Sequence, residues 1–195
     1  MLKVYGFRGL LKLLCDVLYS RLFYPGARIV RRPFYMRGAR HVAIGKGFTT
    51  GVGCRIDAFP EQAGTCIHIG NDVQINDYVH LGSVESIKIG DRVLIASKVF
   101  ISDHNHGVYK GSDAHSSPFE SPIERKLVSA PIVIEEDVWL GEFVCVLPGV
   151  TIGRGSIIGA MSVVTRNIPP MCIAVGSPAK VIKTYDVASS SWVAV

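Results

Sequence analysis

The sequence predicts an all-β fold wound from short parallel strands, and three observations carry the prediction. First, an aliphatic residue recurs every six positions: Ile69, Ile75 and Leu81, then Ile89, Ile95 and Ile101, then Ile134, Leu140, Val146, Ile152, Ile158 and Val164. Second, a small or aliphatic residue follows four places later, as at Val73, Val79, Val93, Val99, Val138, Val144, Val150, Ser156 and Ser162. Third, many hexads place Gly directly after the leading residue, as in IGND, IGDR, LGEF and IGRG. A helix would repeat every 3.6 residues and a simple strand every 2. Period six fits a coil with three flat faces. Each face is a brief strand whose leading residue points to the axis, and Gly or a small polar residue turns the corner where positive φ is needed. Three hexads make one turn, so about five turns are expected, beginning near residues 44, 69, 89, 134 and 152, with weaker copies at Ile44, Thr50 and Ile56. At ~4.8 Å between paired strands the stack is roughly 24 Å tall.

The remaining elements follow in chain order. Residues 1–40 form a basic arm: nine Lys/Arg stand against Asp16 alone, a net charge of +8, which leaves −3 for residues 41–195 out of a total of +5. A nucleic-acid enzyme would spread positive charge over its working surface, so no nucleic-acid partner is expected. Within the arm, Phe7, Leu10, Leu11, Leu14, Val17, Leu18 and Leu22 recur at helical spacing, and Pro25–Gly26 ends the segment. Such a helix can cap the open end of a coil or lie on the anionic surface of the inner membrane. Residues 41–170 are the coil, interrupted at 102–131 by a polar, Gly/Ser/Pro-rich stretch that holds His104, His106 and His115. Loops expelled from a regular scaffold usually carry function. Pro169–Pro170 stops the coil, and 171–195 is read as a fold-back over Ala174–Ile182 followed by a loose tail.

Composition narrows the class. Of 195 residues 48% are hydrophobic and 19% charged, which excludes a disordered chain. Cys15, Cys54, Cys66, Cys145 and Cys172 are scattered and odd in number, which suits a reducing cytoplasm better than a disulfide framework. No apolar run approaches the ~18 residues of a membrane span. Lys12 and Asp16 also cut the signal-like start, so secretion is not expected.

Several segments carry a resemblance: the hexad ladder, DHNH at 103–106, VWLG at 138–141, LPGVTIG at 147–153, IIGAMSVVTRNIPP at 157–170 and GSPAKVIK at 176–183. Over residues 41–184 the chain resembles the hexapeptide-repeat acyltransferases. IGKGFTTG at 44–51 and CRID at 54–57 look most like the branch that O-acetylates bacterial lipopolysaccharide and exopolysaccharide. The resemblance implies a left-handed parallel β-helix, a homotrimer with sites between subunits, and acetyl-CoA as co-substrate with no metal. It places the general base at His104, at the mouth of the loop. Imidazole suits that task because its ordinary pKa of about 6.5 lies near operating pH. His106 is a substrate contact or an auxiliary, and His115 is loop surface. Asp103, Glu120 and Glu124 are all candidates for orienting the imidazole. Carried over by position, the acyl-CoA contacts are Trp139, Gly141, Glu142, Ala160, Thr165, Arg166, Lys180 and Lys183. Asn76 matches a position that hydrogen-bonds the sugar in some relatives.

Three alternatives compete with this reading. A γ-type carbonic anhydrase would use His80, His104 and His106 as metal ligands, although such proteins lack the SVVTRNIPP and GSPAK segments. A non-catalytic scaffold would have no reason to keep a histidine-bearing loop. Within the enzyme class, the acceptor could instead be a small molecule such as a free sugar, serine or a xenobiotic.

Overall fold

A computed structural model describes residues 2–60, 63–109 and 115–195. The chain begins with a helix, Leu2–Phe23, kinked at Gly6. It then lays short parallel strands onto three sheets in rotation. One sheet runs through 42–44, 67–69, 87–89, 132–134 and 151–152. A second takes up 49–50, 74–75, 94–95, 139–140 and 157–158 and is extended by Cys172–Val175. The third holds Phe34–Arg37, Cys54–Ala58, His80–Ser83, Phe100–Ser102, 145–146 and 163–164.

The pairing registers confirm the hexad reading residue by residue. Ile75 pairs with Ile95, Leu81 with Ile101, Ile134 with Ile152, and Leu140 with Ile158. These leading residues are buried and join one core cluster drawn from all three sheets, together with the valines four places on. The serines that replace them, Ser156 and Ser162, are also buried, and each hydroxyl has a backbone partner, Pro169 O and Gly176 N respectively.

Gly47, Gly53, Gly149 and Gly155 take the expected positive φ, but the Gly directly after a leading residue serves another purpose. The left-handed backbone falls three places after the leading residue, on Asp72, Tyr78, Arg92, Lys98, Asp137, Phe143 and Met161. The Gly directly after the leading residue is needed for clearance. A Cβ on Gly70 would lie 2.7 Å from the Gly90 carbonyl carbon, and one on Gly90 would lie 2.6 Å from Glu136 N. Successive rungs therefore touch backbone to backbone at this corner.

Two elements of the ends differ from expectation. The sheets begin inside the arm: Phe34–Arg37 pairs in parallel with Cys54–Ala58, Phe34 to Cys54 and Arg37 to Asp57. The last dozen residues are no loose tail, because Ser191–Ala194 pairs antiparallel with Lys180–Asp186, which in turn folds back on Cys172–Val175. Tyr185 and Trp192 meet edge to face across that hairpin.

The helix packs through Asp16, Ser20 and the partly buried Tyr19. Asp16 and Ser20 are buried; Arg32 Nε donates to Asp16 at 2.9 Å, and the Val30 amide donates to the Ser20 hydroxyl at 2.7 Å. The apolar stripe of Phe7 (76% exposed), Leu11, Leu14, Leu18 (60%) and Leu22 faces outward. No helix among the described residues is long and apolar enough to cross a membrane.

Candidate active site

The third sheet delivers the site. Its strand Phe100–Ser102 runs directly into Asp103 and His104, where the excursion leaves the rung. His104–His106 pairs antiparallel with Leu127–Ser129, so the two ends of the excursion are zipped together at its root. Positions 110–114 of the excursion lie outside the described residues.

Asp103 orients the imidazole. Its carboxylate accepts a bond from His104 Nδ1 at 3.0 Å, while among the described residues neither Glu120 nor Glu124 bonds that ring. Asp103 is fully buried. Burial alone would raise its pKa, but four further donors outweigh that cost: the Ser83 hydroxyl at 2.7 Å and the amides of Val84, Glu85 and Ser86 at 3.0, 2.9 and 2.8 Å. Together with His104 they hold the carboxyl below its ordinary value. An ionised carboxylate only accepts, so Nδ1 carries a proton, and in the neutral ring it is Nε2 that holds the free lone pair. Ser102 Oγ braces the same ring nitrogen at 3.3 Å.

A cavity of about 570 Å³ opens beside this dyad, lined by Asn105, His106, Tyr109, Val128, Pro148, Thr165 and neighbours. His106 is exposed, and its carbonyl accepts from the Tyr109 hydroxyl at 2.7 Å. His115 is exposed on the excursion.

The other expected contacts fall at different corners. Thr165 and Arg166 follow strand 163–164, at the same corner as His104. Trp139 is partly exposed on the second sheet, and Gly141 and Glu142 follow at the corner between the second and third sheets. Ala160 stacks on Gly141, where a Cβ would lie 2.6 Å from Ala160 N, and the Glu142 carbonyl accepts from Met161 N. Lys180 and Lys183 stand on the fold-back strand, opposite Val175 and Ile173. Asn76 sits at that same second-to-third corner; Gln74 Nε2 donates to its side chain and the Cys54 thiol to its carbonyl. Within one chain Trp139, Gly141, Glu142, Ala160 and Asn76 therefore lie at a corner other than that of His104.

The sequence reading missed two groups. Ser83 lies two residues past Leu81, as Asp103 lies two past Ile101, so aligning the hexads would have stacked that hydroxyl against the carboxylate. The same alignment puts Arg55 beside His80 and Asp57 beside Gly82. Asp57 is 5% exposed and bonds Arg37, Arg55 and His80. Of the three histidines weighed as metal ligands, His80 is bonded to Asp57 and His104 to Asp103. Among the described residues no group of three or more His, Cys, Asp or Glu could hold a metal ion.

Comparison with known proteins agrees with the geometry. Residues 131–166 match the family model for the bacterial transferase hexapeptide, six repeats. The chain is 49% identical over 190 residues to WbbJ of Escherichia coli (strain K12), whose name assigns it provisionally to O-acetyl transfer in lipopolysaccharide biosynthesis. That match covers 97% of this chain and 95% of WbbJ. A maltose O-acetyltransferase from Clostridium difficile 630 superposes with a TM-score of 0.61 at 26% identity, covering 91% of this chain and 88% of its own. The fold is shared as well by AntD, an N-acyltransferase from Bacillus cereus solved with dTDP and 3-hydroxybutyryl-CoA. Its TM-score is 0.69 at 18% identity, over 88% of this chain and 90% of AntD. The repeat, the loop histidine and the near full-length relative together establish that this chain belongs to the hexapeptide-repeat acyltransferase family.

Proposed function

We propose that the protein transfers an acetyl group from acetyl-CoA to a sugar hydroxyl of a lipopolysaccharide or surface-polysaccharide precursor, with His104 as general base. The observation that carries this reading is the Asp103–His104 dyad at the root of the excursion, beside the 570 Å³ cavity. His104 Nε2 takes the hydroxyl proton as the sugar oxygen attacks the thioester carbonyl. The new C–O bond forms, the C–S bond breaks, and the imidazolium returns its proton to the departing sulfur. The 49% identity to WbbJ supports the acceptor class. The test is mass spectrometry of surface glycans from cells with and without the gene. Loss of one acetyl from a glycan is expected on deletion, and unchanged acetylation overturns the reading.

The working form in this proposal is a homotrimer of left-handed coils of five turns, each turn starting on the first sheet at 42–44, 67–69, 87–89, 132–134 and 151–152. The separation of the donor contacts supports it. Thr165, Arg166 and His106 occupy one corner and Gly141, Glu142, Ala160 and Trp139 another, so an acyl-CoA slot completes itself where neighbouring copies set these corners face to face. Lys180, Lys183 and Arg166 then meet the nucleotide phosphates. Asn76 is kept as an acceptor contact from the neighbouring copy. The arm (1–40), catalytic body (41–170) and fold-back (171–195) follow the same division, with Phe34–Arg37 entering the body's sheet.

The arm places the enzyme at the cytoplasmic face of the inner membrane in this reading. The outward stripe of Phe7, Leu11, Leu14, Leu18 and Leu22 is an apolar face on a segment of net charge +8, the combination that an anionic lipid surface takes up. In co-sedimentation, the protein should pellet with vesicles rich in phosphatidylglycerol and not with pure phosphatidylcholine. Leu11→Ser with Leu18→Ser should abolish pelleting while the oligomer in solution is unchanged. If the double variant instead dissociates the oligomer, the stripe covers a second copy and no membrane is involved.

A further inference from the structure

The cluster around Asp57 is more heavily charged than a structural role requires. Asp57 is buried, and a buried carboxylate needs a cationic partner. Arg37 alone supplies one, bidentate through Nε at 2.6 Å and Nη2 at 2.8 Å. That pairing is the chief reason the Asp57 carboxyl is lowered to about 2. Yet Arg55 Nε also forms an ion pair with the carboxylate at 2.6 Å, and His80 Nε2 hydrogen-bonds it at 3.1 Å. Two guanidinium groups to one carboxylate leave a fixed positive excess. The side chains of Arg37 and Arg55 are each about half exposed. Their remaining N–H groups, Nη1 of Arg37 and both Nη of Arg55, meet no acceptor among the described residues. Arg37 is held further by the Phe59 ring, 5.2 Å from its guanidinium carbon.

The cluster adjoins the general base. Arg55 pairs with His80, and two residues along that strand lies Gly82. A Cβ on Gly82 would lie 3.9 Å from His80 Nε2 and 3.7 Å from His104 Cε1. The two imidazoles thus flank one gap with a bare glycine floor, and the arginines stand one and two strands beyond it, at ~4.8 Å per strand. An acceptor with its hydroxyl at His104 extends along this face, and its far end meets preorganised, outward-facing guanidinium donors. Such donors match the oxygens of a phosphate group.

We infer that Arg37 and Arg55, anchored on Asp57, bind the diphosphate of the acceptor, so that the enzyme acts on a sugar still linked through a diphosphate and not on a free sugar or finished polymer. The inference rests on His104 marking the acceptor hydroxyl, as proposed above. Two sources supply this chemistry, a nucleotide-linked sugar and a lipid-linked one.

The test is calorimetric titration of the full-length protein, saturated with coenzyme A so that the donor phosphate contacts are occupied, against inorganic pyrophosphate, UDP and farnesyl diphosphate. Pyrophosphate should bind the wild type and the His104→Ala variant alike, which separates this claim from the assignment of the base. Arg55→Gln and Arg37→Gln should each weaken it about ten- to a hundredfold, with coenzyme A affinity unchanged as the check on folding. Tighter binding of UDP than pyrophosphate points to a nucleotide-linked acceptor, and tighter binding of farnesyl diphosphate to a lipid-linked one. Failure of all three probes to bind the wild type overturns the inference, as does binding that neither arginine substitution alters.

Discussion

Replacing His104 with Ala should lower kcat about 10²- to 10⁴-fold while leaving the dissociation constant for acetyl-CoA unchanged. The split follows from where the ring sits. It is partly exposed and touches Asp103 and Ser102, and the buried Asp103 keeps four other donors without it. Deletion removes a proton acceptor and little else, since the zipper of His104–His106 on Leu127–Ser129 is made by backbone. A sugar hydroxyl that must lose its proton unaided attacks the thioester slowly, whereas the donor contacts lie at other positions of the coil. Stopped-flow or steady-state kinetics with equilibrium binding of acetyl-CoA checks both halves. Loss of acetyl-CoA binding with an unchanged turnover number would mean that the base lies elsewhere.

The three parallel sheets were legible because strands stacked in register write their spatial period into the sequence. Ile75, Ile95, Leu140 and Ile158 occupy one ladder, and each burial repeats the last. The reason for the glycines directly after the leading residues was misread, since a single hexad shows a small residue at a corner without showing the rung stacked on it. Only the pairing reveals that Gly70 gives clearance to Gly90 while Asp72 adopts the left-handed turn. The side by which the helix packs was not legible in its spacing, because it is fixed by the pairing of buried Asp16 with Arg32, which lies beyond the helix. At the site, the position of His104 was legible from its place after Ile101. The choice of Asp103 over Glu120 and Glu124 was not, because it depends on three backbone amides of the preceding rung, which carry no sequence signal of their own.

Those amides make Asp103→Asn the second large effect. Oδ2 of Asp103 accepts from Ser83 Oγ and the amides of Glu85 and Ser86, and Oδ1 accepts from Val84 N and His104 Nδ1. An asparagine turned with its NH2 toward the Oδ2 side sets two hydrogens against three donors. Turned the other way, the NH2 meets the Val84 amide and obliges Nδ1 of His104 to accept. The imidazole proton then moves to Nε2, the atom that should receive the sugar proton, and the ring is held in the wrong tautomer. Turnover should therefore fall about 10²- to 10⁴-fold, with acetyl-CoA affinity intact. Nitrogen-15 NMR of the imidazole should show protonation moving from Nδ1 to Nε2, a change that a merely structural role for Asp103 would not produce. The unmatched amide should also cost about 1–3 kcal/mol of stability. Acid dependence gives an independent sign. A carboxyl held below its ordinary value stabilises the fold above the unfolded pKa of about 3.9 and loses that contribution as pH falls toward its lower folded value. Denaturant midpoints of the wild type should thus decline below about pH 4, and Asp103→Asn should flatten that decline. An Asn variant with wild-type turnover and an unshifted tautomer would show that Asp103 only fastens the loop.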